Sequence, residues 1–134
     1  MKLPDKPSEL LRLALEDEEK CHNSPDYIVD MEIWHRPLSG KCTVCLAGAV
    51  MAQTLESNKT MMLSPAKFDQ DTYSKLHALD YFRSGYIDDG LNCLDIYKPE
   101  GGLLSKVPVN NYKGRDYWLK DMNKIVQMLE EYEL

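Results

Sequence analysis

Gly40-Lys41-Cys42-Thr43-Val44-Cys45-Leu46-Ala47-Gly48-Ala49-Val50-Met51-Ala52 decides how this chain is read. Turn chemistry at Pro37-Leu38-Ser39-Gly40 leads into it. Val44, Gly48, Met51 and Leu55 then fall on one helical stripe, while Ala47, Ala49 and Ala52 keep the rest of the surface small. The spacing predicts a helix from about Thr43 to Leu55 that needs close neighbours on several sides, and so the most buried element of the fold. Two thiols three residues apart, Cys42 and Cys45, stand where loop becomes helix.

Working outward, Pro7 to Lys20 reads as a helix, with Pro near the first helical position and strong helix formers after it. Leu10, Leu11, Ala14 and Leu15 make its buried stripe, and Glu16 to Glu19 read as a solvated face. Asn23-Ser24-Pro25 stops it. From Tyr27 to Trp34 the period changes to two, with Tyr27, Val29, Met31 and Ile33 on one side and Asp30 and Glu32 on the other, a short strand by pattern. Lys41 to Val44 can return as a second short strand, its hairpin partner, or go straight into the helix.

Beyond the central helix, Ser64-Pro65 is a cap-like signal for a short turn. A further helix is expected over roughly Asp71 to Ser84, carried by Tyr73, Leu76, Leu79 and Phe82 and closed by Gly85. Ile87 to Ile96 reads as a short helix despite Gly90, and the Pro, Gly and Asn of Lys98 to Lys113 as a long loop. Arg115 to Glu133 places Trp118, Met122, Ile125, Leu129 and Tyr132 on a single face of a last helix. The expected class is mainly α, a compact bundle of four or five helices with a small β-hairpin near residues 27–44, the alternative being α+β. Val44, Met51, Leu55, Leu76, Leu79, Met122, Ile125 and Leu129 are expected to supply much of the core.

The length of 134 residues matches one globular domain, 1–134, with enough chain to bury a core without disulfides or metal. A net charge of -6 and scattered Lys and Arg oppose nucleic-acid binding. No run reaches the roughly 20 apolar residues of a membrane span. Met1 to Pro7 has no signal-peptide core, so a reducing cytoplasm and free thiols at Cys21, Cys42, Cys45 and Cys93 are expected. Acidic neighbours such as Asp88-Asp89 and Glu130-Glu131 read as solvated side chains, and no phosphate-binding motif is present.

Gly40-Lys41-Cys42-x-x-Cys45-Leu46-Ala47 resembles the nucleophile segment of papain-like cysteine proteases, which implies Cys45 as nucleophile at a helix N-terminus whose dipole favours the thiolate. The resemblance covers about a dozen residues. It departs from the family at Thr43-Val44, at Leu46 in place of an aromatic residue, and at Lys41 where a side-chain amide helps hold the oxyanion. His77 and Asp80, at i and i+3 of one predicted helix, are the local candidates for base and orienting acid, giving a Cys45-dependent hydrolase or transferase. The same thiol pair resembles a thiol-disulfide oxidoreductase start without its βαβ surroundings. Cys21, His22, His35, Cys42 and Cys45 offer ligands for a zinc-stabilised binding module, although the spacing fits no standard finger and no cofactor or metal is expected. The bland alternative is that Cys45 is a small packing residue.

The N-terminal Leu-rich helix, Met31-Glu32-Ile33-Trp34-His35 and the Gly-x-Cys-x-x-Cys-Leu-Ala-Gly-Ala-Val segment together resemble small uncharacterised proteins of tailed phages and prophages, over roughly the first 55 residues. That resemblance implies origin and no activity. With no catalytic set clearly built, the expected role is a non-enzymatic interaction protein that binds a host or phage protein. Trp34, His35, Tyr86, Tyr97, Tyr112 and Tyr117 are its candidate aromatic contacts.

Overall fold

A computed structural model describes residues 2–30, 35–38, 41–55, 68–83, 86–94 and 115–134, apart from the side chains of 35–38, Cys42 and Asp88. The expected turn at Ser64-Pro65, the loop from Lys98 to Lys113, and Trp34, Tyr97 and Tyr112 lie outside those residues. The described elements run α1 (Pro7–Asn23), β1 (Tyr27–Val29), β2 (His35–Leu38), β3 (Lys41–Val44), α2 (Leu46–Gln53), α3 (Gln70–Asp80), α4 (Ile87–Cys93) and α5 (Arg115–Glu131). The fold is mainly α, with a small β element.

The sheet has the order β1-β3-β2. β2 and β3 form the hairpin, antiparallel, with His35 opposite Val44 and Leu38 opposite Lys41. β1 joins the other side of β3 in parallel, pairing Tyr27, Ile28 and Val29 with Cys42, Thr43 and Val44. Within the described residues the strand expected from Tyr27 to Trp34 is represented by β1, which lies parallel to Lys41–Val44 rather than folded back on it, and residues 31–34 lie outside the described residues. β1 ends at Val29, and Asp30 N–H closes it on Val44 O at 2.7 Å. Pro37, expected in the turn, lies in β2, an edge strand where its missing N–H leaves no ladder bond unmade.

α1 packs against α2, α5 and β1, and α3 packs against α2 and α4. The main core collects Leu10, Leu11 and Ala14 of α1, Leu46, Ala47, Val50 and Met51 of α2, Leu76 and Leu79 of α3, and Met122, Ile125 and Leu129 of α5. Cys21, Val44 and Ala49 form a smaller cluster under the sheet with Tyr27 and Val29. Every residue of α2 from Leu46 to Met51 is buried, as its small side chains required. Of the expected core residues Leu55 differs, being half-buried at the edge.

Two helix ends move for identifiable reasons. α3 starts one residue early because Asp69 is its cap, accepting Thr72 N–H at 2.8 Å. It stops at Asp80, where Tyr81 and Phe82 N–H turn to Ala78 O and Leu79 O, three residues back. That tightening delivers Phe82 to the core, where its carbonyl accepts Trp118 Nε1–H at 3.0 Å. Gly90 makes α4 compatible with this ring, because a Cβ there would lie 2.6 Å from Phe82 Cε2.

The segment Glu16 to Glu19 corrects the expectation of a solvated face. Glu16 and Glu19 are exposed, whereas Asp17 and Glu18 are buried. Thr54 Oγ1 donates to Asp17 Oδ2 at 2.5 Å, tying α1 to the end of α2. Arg115 Nε donates to both Glu18 oxygens, tying α1 to the first turn of α5. Ahead of α1, Lys75 of α3 secures the segment carrying buried Leu3, with Nζ donating to Leu3 O at 2.9 Å, Asp5 Oδ1 at 2.7 Å and Asp71 Oδ2 at 2.9 Å. Burial works against the Lys75 charge, but the Asp5 and Asp71 carboxylates outweigh it and hold the ammonium above its ordinary range.

Candidate functional site

The candidate site begins where β3 becomes α2. Cys45 has extended backbone (φ -93, ψ -169) and is the N-cap of α2, with its Sγ accepting Gly48 N–H at 3.4 Å and its carbonyl accepting Ala49 N–H at 2.8 Å. A thiol here does the work usually given to a Ser or Asp oxygen, satisfying one of the orphan donors of a first turn. The Cys45 thiol in turn donates to Asp80 Oδ1 at 3.8 Å, linking the start of α2 to the end of α3.

Cys45 is 1 % exposed. Burial pushes its pKa from an ordinary value near 9.0 up to about 12. The Gly48 N–H favours the thiolate, as expected of a helix N-terminus, but desolvation outweighs it and the nearby Asp80 charge adds to the rise. At neutral pH the group is a protonated thiol, whereas nucleophilic catalysis and metal ligation both use the thiolate.

Of the expected catalytic set, Cys45 and Asp80 are brought together. His77 lies on the exposed side of α3, stacked with Tyr73 at 6.0 Å between ring centroids and meeting Tyr81 edge-on at 5.2 Å. The i, i+3 spacing of His77 and Asp80 therefore does not present both side chains to one buried point, because α3 turns Asp80 toward α2 and His77 toward its own neighbouring tyrosines.

The expected zinc ligands are distributed similarly. Cys21 is buried in the small cluster under the sheet and its Sγ accepts Gln53 Nε2–H at 3.5 Å, while His22 is exposed at the end of α1. His35 and Cys42 lie on neighbouring strands, opposite Val44 and Pro37 respectively. Among the described residues no group of three His, Cys, Asp or Glu side chains is placed to hold a metal ion. Cys21, Cys45 and Cys93 form no disulfide, with Cys93 exposed.

Two expected aromatic contacts are open to solvent. Tyr117 is 65 % exposed on α5, and Tyr86 is 47 % exposed ahead of α4 with the Arg83 guanidinium 4.8 Å from its ring centroid. Pattern reading placed Tyr73 on the apolar stripe of α3 and passed over Tyr81; their spacing of four on either side of His77 was the available signal for a row of rings. It also overlooked a hollow of about 270 Å³ between α1 and α5, with Leu15, Leu119 and Val126 beneath and Glu16, Glu19 and Asn123 around it. Among the described residues no helix is long and apolar enough to cross a membrane. Comparison of the chain with protein-family models, curated proteins and solved structures finds no match.

Proposed function

We propose that this chain is a non-enzymatic interaction protein of phage or prophage origin, acting by binding a host or phage protein. The observation that carries the reading is the use made of Cys45, the most reactive candidate in the sequence. Its sulfur is buried, caps α2 and is held as a thiol by its surroundings, with His77 engaged on the surface instead. Surface features favour binding over chemistry, since Tyr86 and Tyr117 are exposed aromatics of the kind enriched at protein interfaces. The net charge of -6 suits a partner with a basic surface and steers it toward this one.

Paired variants in a phage-infection or host-growth assay test the reading. Cys45→Ser, which keeps a capping oxygen, is expected to retain the effect of the wild-type chain. Tyr86→Ala with Tyr117→Ala is expected to lose it while leaving the circular dichroism spectrum unchanged. Loss with Cys45→Ser at unchanged fold, together with full activity of the tyrosine variant, overturns the proposal in favour of a Cys45-dependent hydrolase or transferase.

A further inference from the structure

We infer that the groove between α1 and α5 is a docking site for a basic amphipathic helix of a partner protein, an inference that rests on the interaction reading and names the partner's chemistry. Leu15 and Val126, both buried, form the floor of the hollow with half-buried Leu119. Its volume of about 270 Å³ falls just short of the roughly 300 Å³ at which small-molecule sites begin, so it suits an inserted side chain better than a whole cofactor.

The charge around that floor selects the occupant. Arg115 reaches the hollow, but its charge is committed to Glu18 beneath it, and Arg12 is committed to Glu130 across the groove. The carboxylates of Glu16 and Glu19 are exposed and neighbour each other at i and i+3 on one side of α1. Beyond the Arg12–Glu130 bridge a second hollow of about 250 Å³ continues the groove past Glu9, with Lys6 at its end. An apolar floor with an uncommitted acidic lip matches a helix that presents a large apolar side chain with Lys or Arg one turn away. This is helix-in-groove recognition, with the charges setting orientation and on-rate.

A direct probe is a fluorescein-labelled, helix-forming peptide with Leu at i, i+3, i+4 and i+7 on one face and Arg on its flanks. The controls are a scrambled peptide of the same composition and a version with Glu in place of Arg. Fluorescence anisotropy with the full chain is expected to show saturable binding of the first peptide and at least about tenfold weaker binding of both controls. Glu16→Lys with Glu19→Lys is expected to weaken the first peptide by a similar factor. Asn123→Trp, which fills the hollow from an exposed position, should do the same, and Asp89→Ala, at an exposed position of α4 outside the lining of the hollow, should leave it unchanged. No binding, equal binding of the scrambled peptide, or indifference to the Glu16/Glu19 and Asn123 substitutions overturns the inference. Failure here with the Cys45 and tyrosine variants behaving as proposed removes the groove alone. Failure of those variants with groove binding intact removes the earlier assignment of the contact surface.

Discussion

Glu18 of α1 and Arg115 of α5, 97 residues apart in the chain, meet as an ion pair in which the carboxylate is wholly buried and Arg115 Nε lies 2.7 Å from one of its oxygens and 3.2 Å from the other. Removing one member strands the other, which makes the pair more costly to break than to replace. Glu18→Ala is expected to destabilise the fold by about 3 kcal/mol, the low end for buried pairs because the Arg115 side chain is 24 % exposed. Glu18→Met with Arg115→Met should recover most of that loss. Urea denaturation of the single and double variants gives the coupling, and additive losses would show that the pair contributes nothing as a pair.

Cys45 and Cys93 should separate cleanly by alkylation. In the native protein at pH 8, iodoacetamide is expected to label exposed Cys93 and to spare buried Cys21 and Cys45, as read by peptide mass mapping. Faster labelling of Cys45 than of Cys93 would contradict the placement of its thiol. The raised pKa also sets a sign for alkaline stability. The folded state holds the Cys45 proton more tightly than the unfolded chain, so its contribution is full below about pH 9 and is lost as pH rises toward about 12.

Asp17 gives a second pH effect, at the acid end. Burial raises its pKa, against the lowering influence of the Thr54 hydroxyl and Lys20, so the folded state binds this proton more readily than the unfolded chain. The Asp17 contribution is therefore most favourable below the ordinary carboxylate value of 3.8 and diminishes as pH rises through the higher folded value. Asp17→Asn keeps an acceptor for Thr54 and removes the buried charge. It is expected to raise the thermal midpoint at pH 7 and to leave it nearly unchanged near pH 3; a lower midpoint at pH 7 would show that the charge itself is stabilising.

Gly90→Ala should reverse the usual sign of its substitution. Alanine in a helix ordinarily gains about 0.5–1 kcal/mol over glycine. Here the new Cβ would sit 2.6–2.9 Å from three carbons of the Phe82 ring, which is itself fully buried. A net loss of about 1–3 kcal/mol is expected from chemical denaturation, as for other overpacked cores. Adding Phe82→Leu should relieve part of it.

The helices were legible because their apolar residues recur at helical spacing, and the Trp118, Met122, Ile125, Leu129 face of α5 is buried as read. What escaped notice was that a stripe can continue through a charge. Leu11, Ala14 and Leu15 extend by the same spacing to Glu18 and Cys21, and Thr72 extends to Lys75, Leu76 and Leu79, so the buried ionic side chains occupy core positions of their helices. Hydrophobicity ranks such residues as surface, and only their distant partners make burial tolerable. The Cys45–Asp80 contact was half legible, since both residues were singled out for chemistry. Their role as cap and acceptor depended on which way α3 faces, and that is a tertiary property. The parallel seat of β1 beside β3 was hidden for a similar reason: alternation identifies a strand but says nothing of its neighbour or direction.

β3 runs into the Cys45 cap without an intervening loop, so the register of three short strands also sets the rotational phase of α2. Slipping β3 by one residue would carry Val44 away from Cys21 and Ala49, and would turn the Cys45 sulfur off Gly48 and Asp80. A mispaired sheet cannot coexist with a seated α2, and chains that err in one are expected to lose both together.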